Sequence, residues 1–153
     1  MVKRVYVDNS VIGGKFDREF KVSTEKLFRE FRLGLYLPVV SDVTAKELQG
    51  APSHIVQVYH DLVELGDVID LNEEAVRLSQ LYLKEGKFPK RMLADTLHIA
   101  TASVHGVDIV VSWNFRDIVN LNKIVIYNAV NLKSGYHQIE IRNPKEILHE
   151  EDI

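Results

Sequence analysis

The chain has 153 residues, 46% of them hydrophobic and 27% charged, which suits one soluble globular domain of roughly 100–200 residues. Nineteen Lys and Arg against 22 Asp and Glu leave a net charge of −3, which argues against a protein that coats nucleic acid by bulk charge but leaves room for a local basic track. With no cysteine, disulfides, thiolate zinc sites and cysteine nucleophiles are all excluded.

Val5-Tyr6-Val7 is a β-rich run that stops at Asp8-Asn9-Ser10, with Gly13-Gly14 soon after. It predicts a buried strand followed by a loop. Leu27, Phe28 and Phe31 give residues 23–33 a helical spacing, closed by Gly34. Tyr36 to Val40 suits a second strand, and Ser41-Asp42 offers a cap for a short helix over 43–49. Pro52 opens another helix, which runs to about Leu65 and ends at Gly66. Val68-Ile69-Asp70-Leu71 is a third strand candidate, and Asn72, Glu73 and Glu74 start the helix after it. Gly86 and Pro89 break that helix, and residues 91–105 form the next, ended by Gly106. Ile109-Val110-Val111 and Lys123-Ile124-Val125-Ile126 read as the last core strands, with Ile139 to Arg142 as a short edge strand.

Apolar strands alternating with helices predict an α/β fold of three layers, a parallel central sheet of four or five strands flanked by helices. No stretch reaches the ~20 apolar residues of a membrane span. Asp8 comes too early for a signal peptide's apolar region, so a cytoplasmic protein without membrane contact is expected. Ligands of open α/β sheets bind beyond the carboxyl ends of the strands, so the residues there carry the functional question.

Asp8 directly follows the first strand, where a turn residue or helix N-cap is the structural alternative. Glu47 lies in the short helix after the second strand, where Thr44-Ala45-Lys46-Glu47 also fits a capping box. Asp95 is the most informative acid. It is the single charge between Met92 and Val104, on a helix with small or apolar positions all round, and a buried carboxylate has to be neutralised, paired or bound to a metal. A pair with Arg91, four residues earlier, is the local alternative. Ser112, Asn114 and Asp117 follow the fourth strand, and Asp117 could equally cap a short helix. Mutually repelling carboxylates gathered at one place make sense around a divalent cation. Oxygen ligands suit Mg²⁺ or Mn²⁺, a combination that commonly supports phosphodiester hydrolysis.

Four pieces of the chain in order resemble the PIN domain of VapC-like toxin ribonucleases. They are Val7-Asp8-Asn9-Ser10-Val11-Ile12, Ser41 through Glu47-Leu48, Leu93-Ala94-Asp95-Thr96-Leu97-His98-Ile99-Ala100-Thr101-Ala102, and Val110-Val111-Ser112-Trp113-Asn114. The resemblance spans a core of about residues 4–126, leaving 127–153 as a C-terminal extension of a single domain over 1–153. It implies a Rossmann-like PIN fold and a metal-dependent endoribonuclease that uses Mg²⁺ or Mn²⁺ and takes RNA as substrate. It also implies a homodimer and, in many members, a toxin paired with an antitoxin. Carried over by position, Asp8, Glu47 and Asp95 match the three core acids, the expected metal ligands. Ser10 and Ser112 match the supporting hydroxyls. Family members often have an acid at the position of Asn114; Asp117 matches the second acidic position and joins the expected catalytic set. The amide at Asn114 keeps an alternative open, a degenerate module that binds RNA or a protein without cutting.

Lys90, Arg91 and Arg116 are the expected RNA contacts. Trp113 is either a base-stacking face or an anchor for its loop. His98, three residues after Asp95, is expected to be packed or hydrogen-bonded rather than a ligand.

Overall fold

The computed structural model describes residues 1–152. Five parallel strands form one sheet in the order β3-β2-β1-β4-β5. They are β1 (Lys3–Val7), β2 (Tyr36–Ser41), β3 (Asp67–Ile69), β4 (Ile109–Val111) and β5 (Glu140–Arg142). The order reverses at β1, which lies between β2 and β4 with Tyr6 opposite both Val39 and Val110. That reversal is where an α/β sheet opens a crevice at its carboxyl end.

Seven helices connect the strands: α1 (Asn9–Gly14), α2 (Lys21–Arg32), α3 (Asp42–Glu47), α4 (Ser53–Leu65), α5 (Glu73–Gly86), α6 (Leu93–Val104) and α7 (Leu121–Lys133). Alternation along each strand divides the core between the two faces of the sheet. Val5, Val7, Val40, Ile109 and Val111 pack with Leu27, Phe28, Phe31, Val58 and Leu62 of α2 and α4. Tyr6, Val39 and Val110 pack with Leu78, Tyr82, Ile99, Tyr127 and Val130 of α5, α6 and α7. Burying both faces is what lets the strands read as nearly unbroken apolar runs.

Two expectations change. Residues 123–126 are helical, the first part of α7, and not a strand. The Asn120 side chain caps this helix by accepting from the Lys123 N–H at 3.2 Å. Tyr127, Val130 and Asn131 are then buried at helical spacing while Val125 faces solvent, and the fifth strand is the expected edge strand, at 140–142. The loop expected after β1 is the short helix α1, capped by Asp8. Gly66 has its place for a steric reason: a Cβ there would stand 1.8 Å from the Pro38 carbonyl oxygen of β2.

Candidate functional site

The ends of β1, β2 and β4 deliver Asp8, α3 and the segment from Ser112 to the same side of the sheet, and α6 packs alongside. Asp8 is the N-cap of α1, accepting from the Val11 N–H at 3.2 Å, so the structural alternative holds for it. Its carboxylate does more than cap. Ser10 Oγ donates to Oδ1 and Ser112 Oγ to Oδ2, each at 2.6 Å. Burial pushes the Asp8 carboxyl up, opposed by the nearby His98 and by these hydroxyl donors. The Ser10 hydroxyl also accepts from the Trp113 N–H at 2.8 Å, tying the first and fourth motifs together.

Glu47 does not close a capping box. Ser41 is the N-cap of α3, accepting from the Val43 N–H at 3.2 Å. Glu47 is the last residue of the helix, where a negative charge opposes the helix dipole. Its carboxylate pairs instead with His98 Nε2. Nor does Asp95 pair with Arg91. It sits in the first turn of α6 with one long contact, from Asn114 Nδ2 at 3.4 Å. Burial, and then the like charge of Asp117, push its carboxyl up; His98 acts the other way, Asp8 and Glu47 add to the rise, and the result is about 6. Asp8, Glu47, Asp95 and Asp117 therefore share one electrostatic neighbourhood.

Arg91 reaches Asp117, with Nη1 at 2.5 Å from Oδ2, while Lys123 Nζ lies 2.6 Å from Oδ1. Burial would raise the Asp117 carboxyl, but these two cations outweigh it and hold it below the usual carboxylate range. The alternative of Asp117 as the cap of a short helix does not hold: turns follow it, and the next helix, α7, is capped by Asn120. Asn114 organises the turn, its Oδ1 accepting the N–H groups of Arg116 and Asp117 at 3.1 and 3.0 Å. Arg116 and Lys90 are exposed.

Trp113 is a loop anchor. Its ring stacks on Phe20 at 4.3 Å between centroids, and its indole N–H donates to Thr24 Oγ1 at 2.9 Å. A Cβ on Gly14 would meet that indole at 2.8 Å, so α1 ends on glycine where the tryptophan lies across it.

Two participants, Lys123 and Tyr6, went unread in the sequence, and Ser41 reads there only as a helix cap and the start of a motif. Lys123 was hidden by the strand assignment of 123–126. Tyr6 and Ser41 sit in β-strands, yet the Tyr6 hydroxyl, wholly buried, lies 2.6 Å from both Ser41 Oγ and His98 Nδ1. The signal was present in Val5-Tyr6-Val7, because a buried tyrosine hydroxyl needs a partner.

Among the described residues, no three His, Asp or Glu side chains stand close enough to enclose one ion. Mg²⁺ needs no such cage, since it keeps several waters and binds through one or two carboxylates plus phosphate oxygens. A raised carboxyl beside like charges fits that role, because a cation relieves the repulsion.

No protein-family model and no curated protein sequence matches the chain. Its fold is similar to that of solved structures. FitAcB from Neisseria gonorrhoeae is 13% identical with a TM-score of 0.61, the match covering 92% of this chain and 97% of that one. FitAB bound to an IR36 DNA fragment is 14% identical with a TM-score of 0.62, covering 95% and 99%. VapC20 of Mycobacterium tuberculosis, a toxin that cleaves the sarcin–ricin loop, is 10% identical with a TM-score of 0.56, covering 89% and 98%. Likeness at such identity speaks for the fold alone, and the fold is the PIN-like α/β arrangement that the four sequence motifs resemble.

Proposed function

We propose that this chain is an endoribonuclease dependent on Mg²⁺ or Mn²⁺, with Asp8, Glu47 and Asp95 as the metal-holding acids of a single PIN-like domain over residues 1–153. The observation that carries the reading is the gathering of Asp8, Glu47 and Asp117 around a half-buried Asp95 at the carboxyl end of the sheet, where burial first and then these like charges push the Asp95 carboxyl up to about 6. When bound, the metal supplies an acidified water and positive charge against the scissile phosphate. The chain's own residues orient the site. Ser10 and Ser112 each donate to one oxygen of Asp8 and fix its carboxylate. Asn114 shapes the turn and turns its amide toward Asp95. Asp117, with both oxygens taken by Arg91 and Lys123, serves as a salt-bridged support beside Asp95. Arg116 and Lys90 offer exposed charge to backbone phosphates, whereas the Arg91 guanidinium is already engaged.

Similarity of fold to VapC20, a toxin that cleaves an RNA loop, supports RNA as the substrate. The resemblance extends the reading to a cytoplasmic homodimer acting as the toxin of a toxin–antitoxin pair, with an antitoxin partner. The test is cleavage of labelled RNA with Mn²⁺ or Mg²⁺ by the wild-type chain, by Asp8→Asn and by Asp95→Asn. Cleavage that both variants retain in full rejects the reading.

One observation favours a second reading, a module that binds RNA or a protein without cutting. Asn114 puts an uncharged amide where an acid often stands in the resembled family, and it does so next to Asp95. Calorimetric titration with Mn²⁺ separates the two readings, because a binding-only module has no need of the ion.

A further inference from the structure

Glu47 ends α3 with its side chain about a third exposed, and nothing in its own helix fixes the carboxylate. The group that does so comes from inside the protein. His98, only 2% exposed, presents Nε2 to Glu47 and Nδ1 to the Tyr6 hydroxyl at 2.6 Å. The Tyr6 hydroxyl lies 2.6 Å from Ser41 Oγ, which accepts from the Val43 N–H at 3.2 Å. Thr44 Oγ1 stands 3.5 Å from the same tyrosine oxygen.

The hydrogens of this row run in one direction. The Glu47 carboxylate oxygen accepts, so Nε2 carries the hydrogen, and in the tautomer with its hydrogen on Nε2 the Nδ1 atom is left as an acceptor. Tyr6 then donates to Nδ1 and Ser41 donates to Tyr6. The opposite tautomer would face the carboxylate with a lone pair. The row therefore selects one tautomer and one ring orientation, and with them one position for the Glu47 carboxylate. It joins the ends of β1 and β2 to α6, three elements that packing already fixes.

We infer that Tyr6 and His98 are positioning residues, a buried hydroxyl–histidine relay, anchored on Ser41, that holds Glu47 in place for a divalent cation. The inference rests on the reading of Glu47 as a metal-holding acid. Groups that orient a ligating carboxylate typically cost ten- to a hundredfold in metal affinity when removed. Tyr6 and His98 do this without touching the ion or the RNA.

The test is calorimetric titration with Mn²⁺, alongside melting in EDTA, for the wild-type chain, Tyr6→Phe, His98→Leu and His98→Gln. Tyr6→Phe keeps the ring that fills the core and removes only the hydroxyl, so it tests the relay even if His98→Leu does not fold. The expected result is Mn²⁺ affinity lowered about tenfold or more in Tyr6→Phe and His98→Leu. Recovery of most of it is expected in His98→Gln, whose amide still donates to Glu47 and accepts from Tyr6. Wild-type affinity in a folded Tyr6→Phe and in His98→Leu overturns the relay and leaves the metal reading standing. A wild-type chain that takes up no Mn²⁺ overturns the metal reading, and the relay's purpose with it.

Discussion

Asp95→Asn should stabilise the metal-free protein at neutral pH and leave it nearly unchanged in acid. The native carboxyl is pushed up to about 6 by burial and by the like charge of Asp117, with Asp8 and Glu47 adding to it, whereas an unfolded aspartate titrates at about 3.9. Below that lower value the side chain is protonated in both states, and the amide replaces a neutral acid of nearly the same shape. Between the two values the native state binds more protons than the unfolded one, so stability falls as pH rises. Above about 6 the full cost is present. At 1.36 kcal/mol per pH unit the gap is worth about 3 kcal/mol, and solvent screening of a half-buried group reduces that to about 1 kcal/mol. For a chain of this length, that shifts the melting temperature by about 2–4 °C. The assay is thermal unfolding in EDTA at pH 7.5 and pH 3.5, wild type against Asp95→Asn. A variant that melts lower than wild type at pH 7.5, or gains as much at pH 3.5, refutes the reasoning.

Other substitutions read the support around the acids. Ser112→Ala removes the donor to Asp8 Oδ2 and the acceptor of the Asn114 N–H. It should cost about 1–3 kcal/mol in urea unfolding, and a variant as stable as wild type counts against this bond. Lys123→Met takes one of two cations from Asp117, so the Asp117 carboxyl should titrate higher in carbon-detected NMR; an unchanged titration contradicts the pairing. Gly66→Ala forces a Cβ against the Pro38 carbonyl and should lose about 1–3 kcal/mol or more. Gly13→Ala, inside α1 with nothing within 4 Å of its Cβ, should gain about 0.5–1 kcal/mol, and melting temperatures that do not separate the pair reject the steric account.

The alternation of strands and helices was legible because each strand is buried on both faces and each break carries its own signal. Asn72 caps α5 through the Ala75 N–H at 2.9 Å, and Gly34 takes a positive φ of 75° after α2, both as their positions suggest. Lys123-Ile124-Val125-Ile126 misled because a short β-branched run fits a strand or a half-buried helix equally. The turn of burial that decides it, Tyr127 to Asn131, lies beyond the run. Asp8, Glu47 and Asp95 stood out singly by type and place, but their partners did not. Arg91 four residues before Asp95 is a sound local pairing, yet its guanidinium reaches Asp117 instead, a choice made by how the segment after β4 folds back. The Tyr6–His98 bond spans 92 residues, and no local pattern encodes it.

The central claim is that carboxylates at the sheet's carboxyl end hold a divalent cation for RNA cleavage. Asp8 tests it most directly, since both its oxygens are fixed by hydroxyls from two different motifs. In single-turnover cleavage of an end-labelled RNA with Mn²⁺, wild type should cut, EDTA should abolish cutting, and Asp8→Asn should be slower by about a hundredfold or more. Cleavage that persists in EDTA, or that Asp8→Asn performs at the wild-type rate, contradicts the account.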